Sequence, residues 1–393
     1  MRPIVESGEE RDFYLDEFRG RSVLIAIGPE VVAERADLAP MAATVADLVR
    51  NDTRVVLWWP SRGVATDRRL TAALVRSRAI VRRRGPRRRP LPVVRVRIES
   101  GAEHVDETLR ADLWEHLRQG RLCVLAVNGR AAFPGHALAL AAVLRIPKLV
   151  LVDPQGGLAT GTGRLSFVDE NVLETVLRDG EAEWSGLGDR RELLVAVQEA
   201  LDSGVEAVNL CSPAGIAEEL FSYEGSGTLF TQGDYCRVGP LGLDDFAQAE
   251  RLLERGQREG VLKLRTTEET ADVLAGGFGA MISGRHLAGV AGLLVAPYVA
   301  DRAGEIVGLY TITRFKGEGI GERLVTACVA EADRRGLASV FACAVDARAQ
   351  QFFERLGFVR VRPQDVPAAK WIGYDARRRS RVAVYRIPVG AGS

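Results

Sequence analysis

The sequence predicts two domains of different class: an α/β domain on a doubly wound parallel sheet over residues 21–230, and an α+β domain over residues 235–390. A short helix within residues 1–20 precedes them. Three observations carry this reading. At 393 residues the chain is longer than one ordinary domain. Its first half alternates short apolar runs with helical stretches, the strand–helix–strand signature of a parallel sheet. Its second half strings several strands together before a long helix, a mixed order unlike the first. No internal repeat is visible.

Residues Arg11–Arg19 read as an amphipathic helix whose large apolar side chains are Phe13, Tyr14 and Phe18. Arg21–Ile27 is an apolar strand stopped by Gly28-Pro29. Met41, Val45, Leu48 and Val49 then repeat at helical spacing, and Val55–Trp59 is a second buried strand. Downstream, the pattern recurs: strand Leu122–Val127, helix Ala137–Leu144, strand Lys148–Val152, a helix closing at Ala196–Leu201, strand Ala207–Leu210 and helix Ile216–Phe221. Gly225–Gln232 reads as a connector. The second domain opens with a strand at Cys236–Val238 and a helix over Leu243–Arg258, with Asp244 and Asp245 at its positive end. Strands are expected at Ala280–Ile282, Leu287–Ala296 and Glu305–Thr313. Helix Ile320–Arg334 carries Leu324, Cys328 and Ala332 on one stripe. Strand Ser339–Val345, helix Ala349–Leu356 and strand Val382–Ile387 complete the chain.

Composition narrows the function classes. Hydrophobic content of 47%, charged content of 27% and a net charge of +1 describe a globular chain with no bulk pull on a polyanion. Nucleic acid and membrane are therefore not expected as partners. The acidic and basic residues of the first dozen positions interrupt any signal-peptide core, and no apolar run is long enough to span a bilayer. The basic run Arg82–Arg84 and Arg87–Arg89, lacking aromatic neighbours, reads as a solvated hairpin tip. Five cysteines scattered without a CxxC pair, and four dispersed histidines, predict neither a disulfide framework nor a metal site. They fit small buried side chains in a reducing cytoplasm.

The segment Tyr310–Leu324 carries the chemistry. A β-branched strand ending in Tyr310 and Thr311 runs into Lys316-Gly317-Glu318-Gly319-Ile320-Gly321 and then into the amphipathic helix. Glycines at 317, 319 and 321 let backbone N–H groups approach a ligand closely, and the helix dipole adds positive potential suited to a pyrophosphate. No Gly-Lys-Ser/Thr comes after the turn, so a Walker loop does not fit, and the next strand lacks the acidic end of a dinucleotide site.

A second segment, beyond the helix, extends the pattern. Asp346-Ala347-Arg348-Ala349-Gln350-Gln351-Phe352-Phe353-Glu354-Arg355-Leu356-Gly357-Phe358 is similar to the Asn-x-x-Ala-x-x-Phe-Tyr-x-x-x-Gly-Phe segment of the GCN5-related N-acetyltransferase family. The glycine turn resembles that family's (Arg/Gln)-x-x-Gly-x-Gly/Ala loop, with Lys316 in place of Arg or Gln. A chance glycine turn would account for the loop but not for both segments at this separation. The resemblance implies acetyl-CoA as co-substrate, no metal, and Tyr310, Thr311, Lys316, Gly317, Gly319, Ile320 and Gly321 as its binding residues.

A further resemblance covers almost the whole chain. Gly260-Val261-Leu262-Lys263-Leu264-Arg265, Gly304-Glu305 and the tail Tyr374–Val382 resemble the synthase domain of the N-acetylglutamate synthases. The first 230 residues look like that family's amino-acid-kinase domain, down to Glu218-Glu219-Leu220-Phe221-Ser222-Tyr223-Glu224-Gly225-Ser226-Gly227-Thr228. The resemblance implies acetyl transfer to the α-amine of L-glutamate, the first step of arginine biosynthesis. Glu305 matches the general base, Arg265, Arg378 and Ser380 match the groups holding the substrate carboxylates, and Glu219 and Gly225 match an L-arginine effector site. A homo-oligomer, tetramer or hexamer, is implied in the same way. Guanidinium forks suit a dicarboxylate, and an ammonium must lose a proton before it attacks a thioester, so these residue types fit the chemistry.

Two departures stand out. Phe352-Phe353 replaces the Phe-Tyr pair whose tyrosine protonates the leaving thiolate in many acetyltransferases, so the acid is unassigned. The Lys-x-Gly-Gly of active amino-acid kinases is replaced by Ala26-Ile27-Gly28-Pro29, and the second glycine loop by Trp58-Trp59-Pro60-Ser61-Arg62. The phosphate-neutralising cation and one N–H donor are gone, so no kinase activity is expected.

Overall fold

The computed structural model describes residues 11–80 (without Phe13 and Asp16), 93–97, 107–128, 133–160, 163–179, 190–222, 225–233, 236–282, 286–312, 319–374, 379 and 382–390. The chain divides into two compact units, Met1–Tyr235 and Cys236–Ser393.

The strands of the first unit are β1 (Ser22–Ile27), β2 (Arg54–Pro60), β3 (Val93–Arg97), β4 (Leu122–Asn128) and β5 (Lys148–Val152). They continue with β6 (Ala159–Thr160), β7 (Gly163–Arg164), β8 (Phe167–Asp169), β9 (Ala207–Cys211) and β10 (Thr228–Thr231). Eight of them form one sheet in the order β3-β4-β2-β1-β5-β9-β10-β8, and β6–β7 form a small hairpin. Every pairing in the large sheet is parallel except β9–β10. Parallel strands covered by helices on both faces must be apolar throughout. In β1 the five residues after Ser22 are fully buried, each large side chain contributing about 1.5–3 kcal/mol.

Thr228–Thr231 corrects the expected connector. Gly225 and Gly227 signal a turn, but the four residues after them are buried and turn back along β9. Helices Val64–Arg76, Glu107–Gln119 and Glu170–Asp179 were also not anticipated. The first helix is present at residues 11–18 where described, with Tyr14 and Phe18 buried, and Thr53 Oγ1 donates to the Phe18 carbonyl at 3.0 Å. The basic run at 82–89 lies outside the described residues.

The second unit holds β11 (Cys236–Pro240), β12 (Gly277–Ile282), β13 (His286–Leu294), β14 (Ala303–Thr311), β15 (Ser339–Ala344), β16 (Val359–Val361) and β17 (Ala383–Pro388). They form one sheet ordered β11-β12-β13-β14-β15-β17-β16, and only β14–β15 is parallel. Helix Ile320–Arg334 has the expected bounds and buries Ile320, Leu324, Val325, Cys328 and Ala332. Helix Thr267–Ala275, missed in the sequence, starts from a capping box in which Thr266 and Glu269 satisfy each other's backbone N–H. Leu243–Asp245 is a 3₁₀ turn leading into helix Phe246–Arg258.

All five cysteines are free, four of them buried and Cys343 half-buried. No described helix is long and apolar enough to cross a membrane. Among the described residues no group of three or more His, Cys, Asp or Glu is placed to hold a metal ion.

Candidate active site

The parallel pair at the centre of the second sheet opens into a wedge. β14 and β15 pair from Ala303↔Ser339 to Ile306↔Ala342 and no further, although β14 runs on to Thr311 and β15 to Ala344. The cause lies on the other edge of β14. Between Val290↔Tyr310 and Gly292↔Val307, β14 spends three steps where β13 spends two, a bulge that bends the strand. Gly308, inside it, has φ 62°, a conformation open to glycine. Past Ile306, the β15-facing backbone edge of β14 is therefore left without a strand partner.

Helix Ile320–Arg334 begins close by in the chain. Gly319 stands at its N-cap with φ 71° and supplies no side-chain cap. The first-turn N–H groups have no intrahelical acceptor and carry the positive end of the dipole. Gly321 has no side chain to fill the contact with the Phe352 ring, which lies 3.4 Å from where a Cβ would be. Lys316 and Gly317 lie outside the described residues. Tyr310 and Thr311 end β14, but the Tyr310 side chain is buried. Arg255 Nε donates to its hydroxyl at 2.9 Å, and that hydroxyl donates to Glu259 Oε1 at 2.9 Å. Only the Tyr310 backbone is available to a ligand in the wedge; Thr311 is half-buried.

Glu305 sits on β14 just before the strands part, and its residue is 3% exposed. Both carboxylate oxygens are engaged. The Tyr298 hydroxyl donates to Oε2 at 2.7 Å, and the Lys370 ammonium donates to Oε1. Tyr298 comes from the 3₁₀ turns Ala296–Asp301 and packs edge-on to Phe341, ring centroids 5.1 Å apart. Lys370 comes from the 3₁₀ turn Ala368–Trp371, fixed in part by Trp371 Nε1 donating to the Pro363 carbonyl at 2.7 Å. Burial and the Glu305 charge hold the Tyr298 hydroxyl far above its ordinary pKa. Burial opposes the Lys370 ammonium, yet Glu305, Cys343 and Tyr374 outweigh it and raise its pKa. Burial pushes the Cys343 thiol up to about 12. Sequence reasoning singles out Glu305 but neither of these partners; Lys370 lies 65 positions away in a stretch that reads as loop.

Of the residues expected to hold substrate carboxylates, Arg265 is half-buried, directly before the N-cap Thr266. Arg378 and Ser380 lie outside the described residues. Their neighbour Arg379 stacks on the Trp371 ring at 4.5 Å and lines a cleft of about 510 Å³ with Arg386, Ala303 and Phe341. Phe353 is core: its ring contacts Phe352 and Phe358 at 5.3 Å and stacks on Tyr385 at 6.3 Å.

In the first unit Glu219 is 1% exposed and ties down the segment containing Gly225. Its Oε2 accepts from the N–H groups of Ser226 at 3.0 Å and Gly227 at 2.7 Å, and its Oε1 accepts from the Asn209 amide. Gly225, at φ 61°, donates to Ser222 Oγ at 3.0 Å. The carboxyl ends of β1 and β2 are filled by apolar groups. Trp58 packs 5.7 Å from Phe133 and donates from Nε1 to His136 Nδ1 at 3.0 Å; burial lowers the imidazole pKa, so the ring accepts as the neutral form. At Gly28 an added Cβ would lie 2.9 Å from the Val152 carbonyl, and Pro29 opens the next helix.

Residues 246–358 match the acetyltransferase (GNAT) family. The chain is 27% identical to the amino-acid acetyltransferase of Azotobacter vinelandii over 244 residues, 61% of this chain and 54% of that protein. It is also 27% identical to that of Ralstonia nicotianae over 252 residues, 63% of this chain and 54% of that protein. The chain thus spans about half the length of the curated relatives it matches. The crystal structure of Neisseria gonorrhoeae N-acetylglutamate synthase, complexed with coenzyme A and L-arginine, superposes with a TM-score of 0.63 at 20% identity, covering 99% of this chain and all of that one. The chain therefore shares the fold of that N-acetylglutamate synthase, and its second unit holds the stretch that matches the acetyltransferase (GNAT) family.

Proposed function

We propose that this protein transfers the acetyl group of acetyl-CoA to the α-amine of L-glutamate, giving N-acetyl-L-glutamate. The observation that carries the reading is Glu305: a buried carboxylate at the mouth of the β14–β15 wedge, on the strand that leads to a glycine-capped helix. The unpaired edge of β14 beyond Ile306 suits the amides of the pantetheine arm. The first turn of helix Ile320–Arg334, with Gly319, Ile320 and Gly321 and the preceding Lys316 and Gly317, suits the pyrophosphate. Glu305 takes a proton from the acceptor's ammonium, directly or through water, and the free amine attacks the thioester carbonyl. Arg265, Arg378 and Ser380 would hold the two carboxylates of glutamate. Collapse of the tetrahedral intermediate breaks the thioester C–S bond; the nitrogen gives up its second proton to solvent, and the departing coenzyme A thiolate is protonated from solvent, Phe353 having no proton to give.

The first unit acts in this reaction scheme as a regulatory module for L-arginine, with Glu219 and the Gly225 turn at the effector site, and as the contact surface of a homo-oligomer. Trp58 packs against Phe133, and Pro29 has no N–H to offer a phosphate, which favours a unit without kinase chemistry. The test is coenzyme A release from the full chain across a panel of amino acids. Release confined to glutamate supports the reading; a clear preference for a non-acidic amine sinks it.

A further inference from the structure

We propose that Lys370 is a positioning residue for the reaction's base, its ammonium and the Tyr298 hydroxyl together clamping the Glu305 carboxylate in one orientation. This rests on the acetyl-transfer reading above and extends it to a residue outside the acetyl-CoA loop. The two side chains of the pair are 13% and 4% exposed, so the interaction is poorly screened by solvent. Each oxygen of Glu305 has its own donor, one charged and one neutral. With the head group held from two sides, the carboxylate cannot rotate freely.

The choice of lysine matters. The chain has four lysines, Lys148, Lys263, Lys316 and Lys370, among 53 basic residues, so arginine is its default cation. An arginine fork would occupy both oxygens of Glu305; a lysine is a point charge that engages one and leaves lone pairs free to take a proton. The groups facing the carboxylate are Tyr298 from the preceding turn, Lys370 from the 368–371 turn with Tyr374 5.2 Å from its ammonium, and Cys343 from β15. Among these Lys370 is the cation, and it pairs with one oxygen of Glu305 without covering the other.

Two measurements test this on the full chain. In the first, kcat/KM for the acceptor is followed against pH in wild type, Lys370→Met and Lys370→Arg, with acetyl-CoA binding by calorimetry as the check on folding. Lys370→Met is expected to lose roughly 10–100-fold in kcat, with the acid limb of its pH profile displaced from that of wild type. Lys370→Arg is expected to restore the wild-type acid limb while remaining slower. An unmoved acid limb in Lys370→Met overturns the proposal. The second needs no activity: with ¹³Cε-lysine labelling the four lysines are separable, and Lys370→Arg assigns the signal. In Glu305→Gln the Lys370 resonance is expected to titrate below that in wild type, because the Glu305 charge no longer offsets burial. An unchanged titration overturns the clamp, whereas a wild-type enzyme idle toward glutamate would overturn only the substrate reading.

Discussion

The Tyr298 hydroxyl donates to Glu305 Oε2 at 2.7 Å, inside a cluster that buries both residues to 3% exposure. A carboxylate so deep needs donors for its oxygens, and a phenol whose pKa is raised stays a donor throughout the working pH range. Tyr298→Phe keeps the ring against Phe341 and removes one bond to a charged acceptor. The expected cost is about 1.5–3 kcal/mol in stability. A fall in kcat on the order of tenfold should accompany it, equivalent to about 1.4 kcal/mol of barrier. Thermal unfolding and steady-state kinetics on the variant check both; unchanged values in both would mean the contact is idle.

The bulge at Gly308 bends β14 away from β15. A Cβ there would lie 2.9 Å from Leu253 Cδ2 and 3.0 Å from Val273 Cγ1, and φ is +62°. Gly308→Ala should destabilise the second unit by about 1–3 kcal/mol and weaken acetyl-CoA binding, because the wedge depends on this bend. Calorimetric titration with acetyl-CoA is the readout, and wild-type affinity at wild-type stability would refute the link between bulge and site.

Glu219 is the buried acceptor for two backbone N–H groups and one amide in the first unit. Glu219→Ala leaves those donors unsatisfied, at about 1–3 kcal/mol each. Glu219→Gln should be milder, since one oxygen remains to accept. Differential scanning calorimetry should show unfolding of the first unit moving to lower temperature in Glu219→Ala, and any stabilisation by L-arginine disappearing with it. Persistence of that stabilisation would place the effector elsewhere.

The Lys370–Glu305 pair sets a sign for pH. Lys370 has its folded pKa raised above the ordinary 10.5. Its stabilising contribution is therefore complete below pH 10.5 and is lost as pH rises through the folded value, where the unfolded chain has already given up the proton. The stability gap between wild type and Lys370→Met should stay constant from about pH 7 to 10 and narrow above it. A gap that closes on acidification to pH 7 would contradict this assignment.

Much of the site was legible because its signals are local. The apolar run of β1, the helix Ile320–Arg334 and the glycines before it are each read within a few residues of themselves. Glu305 was legible through its place ahead of that loop. What escaped was non-local or short. β10 is four residues directly after a glycine turn, and its strand character comes from pairing with β9 and β8. Helix Glu107–Gln119 exposes Trp114 at 73% and so breaks the apolar stripe that marks an ordinary surface helix. Lys370 and Tyr298 are ordinary residues in irregular turns, and only the folded chain brings them to Glu305.

The central claim is tested most directly by coenzyme A release from acetyl-CoA with L-glutamate as acceptor, run side by side on wild type and Glu305→Gln. Glutamate-dependent release by wild type is expected, with N-acetyl-L-glutamate as product. In the variant kcat should be lower by roughly 10²–10⁴ with acetyl-CoA binding intact. Equal rates in the two proteins, or release that is indifferent to glutamate, would contradict the claim.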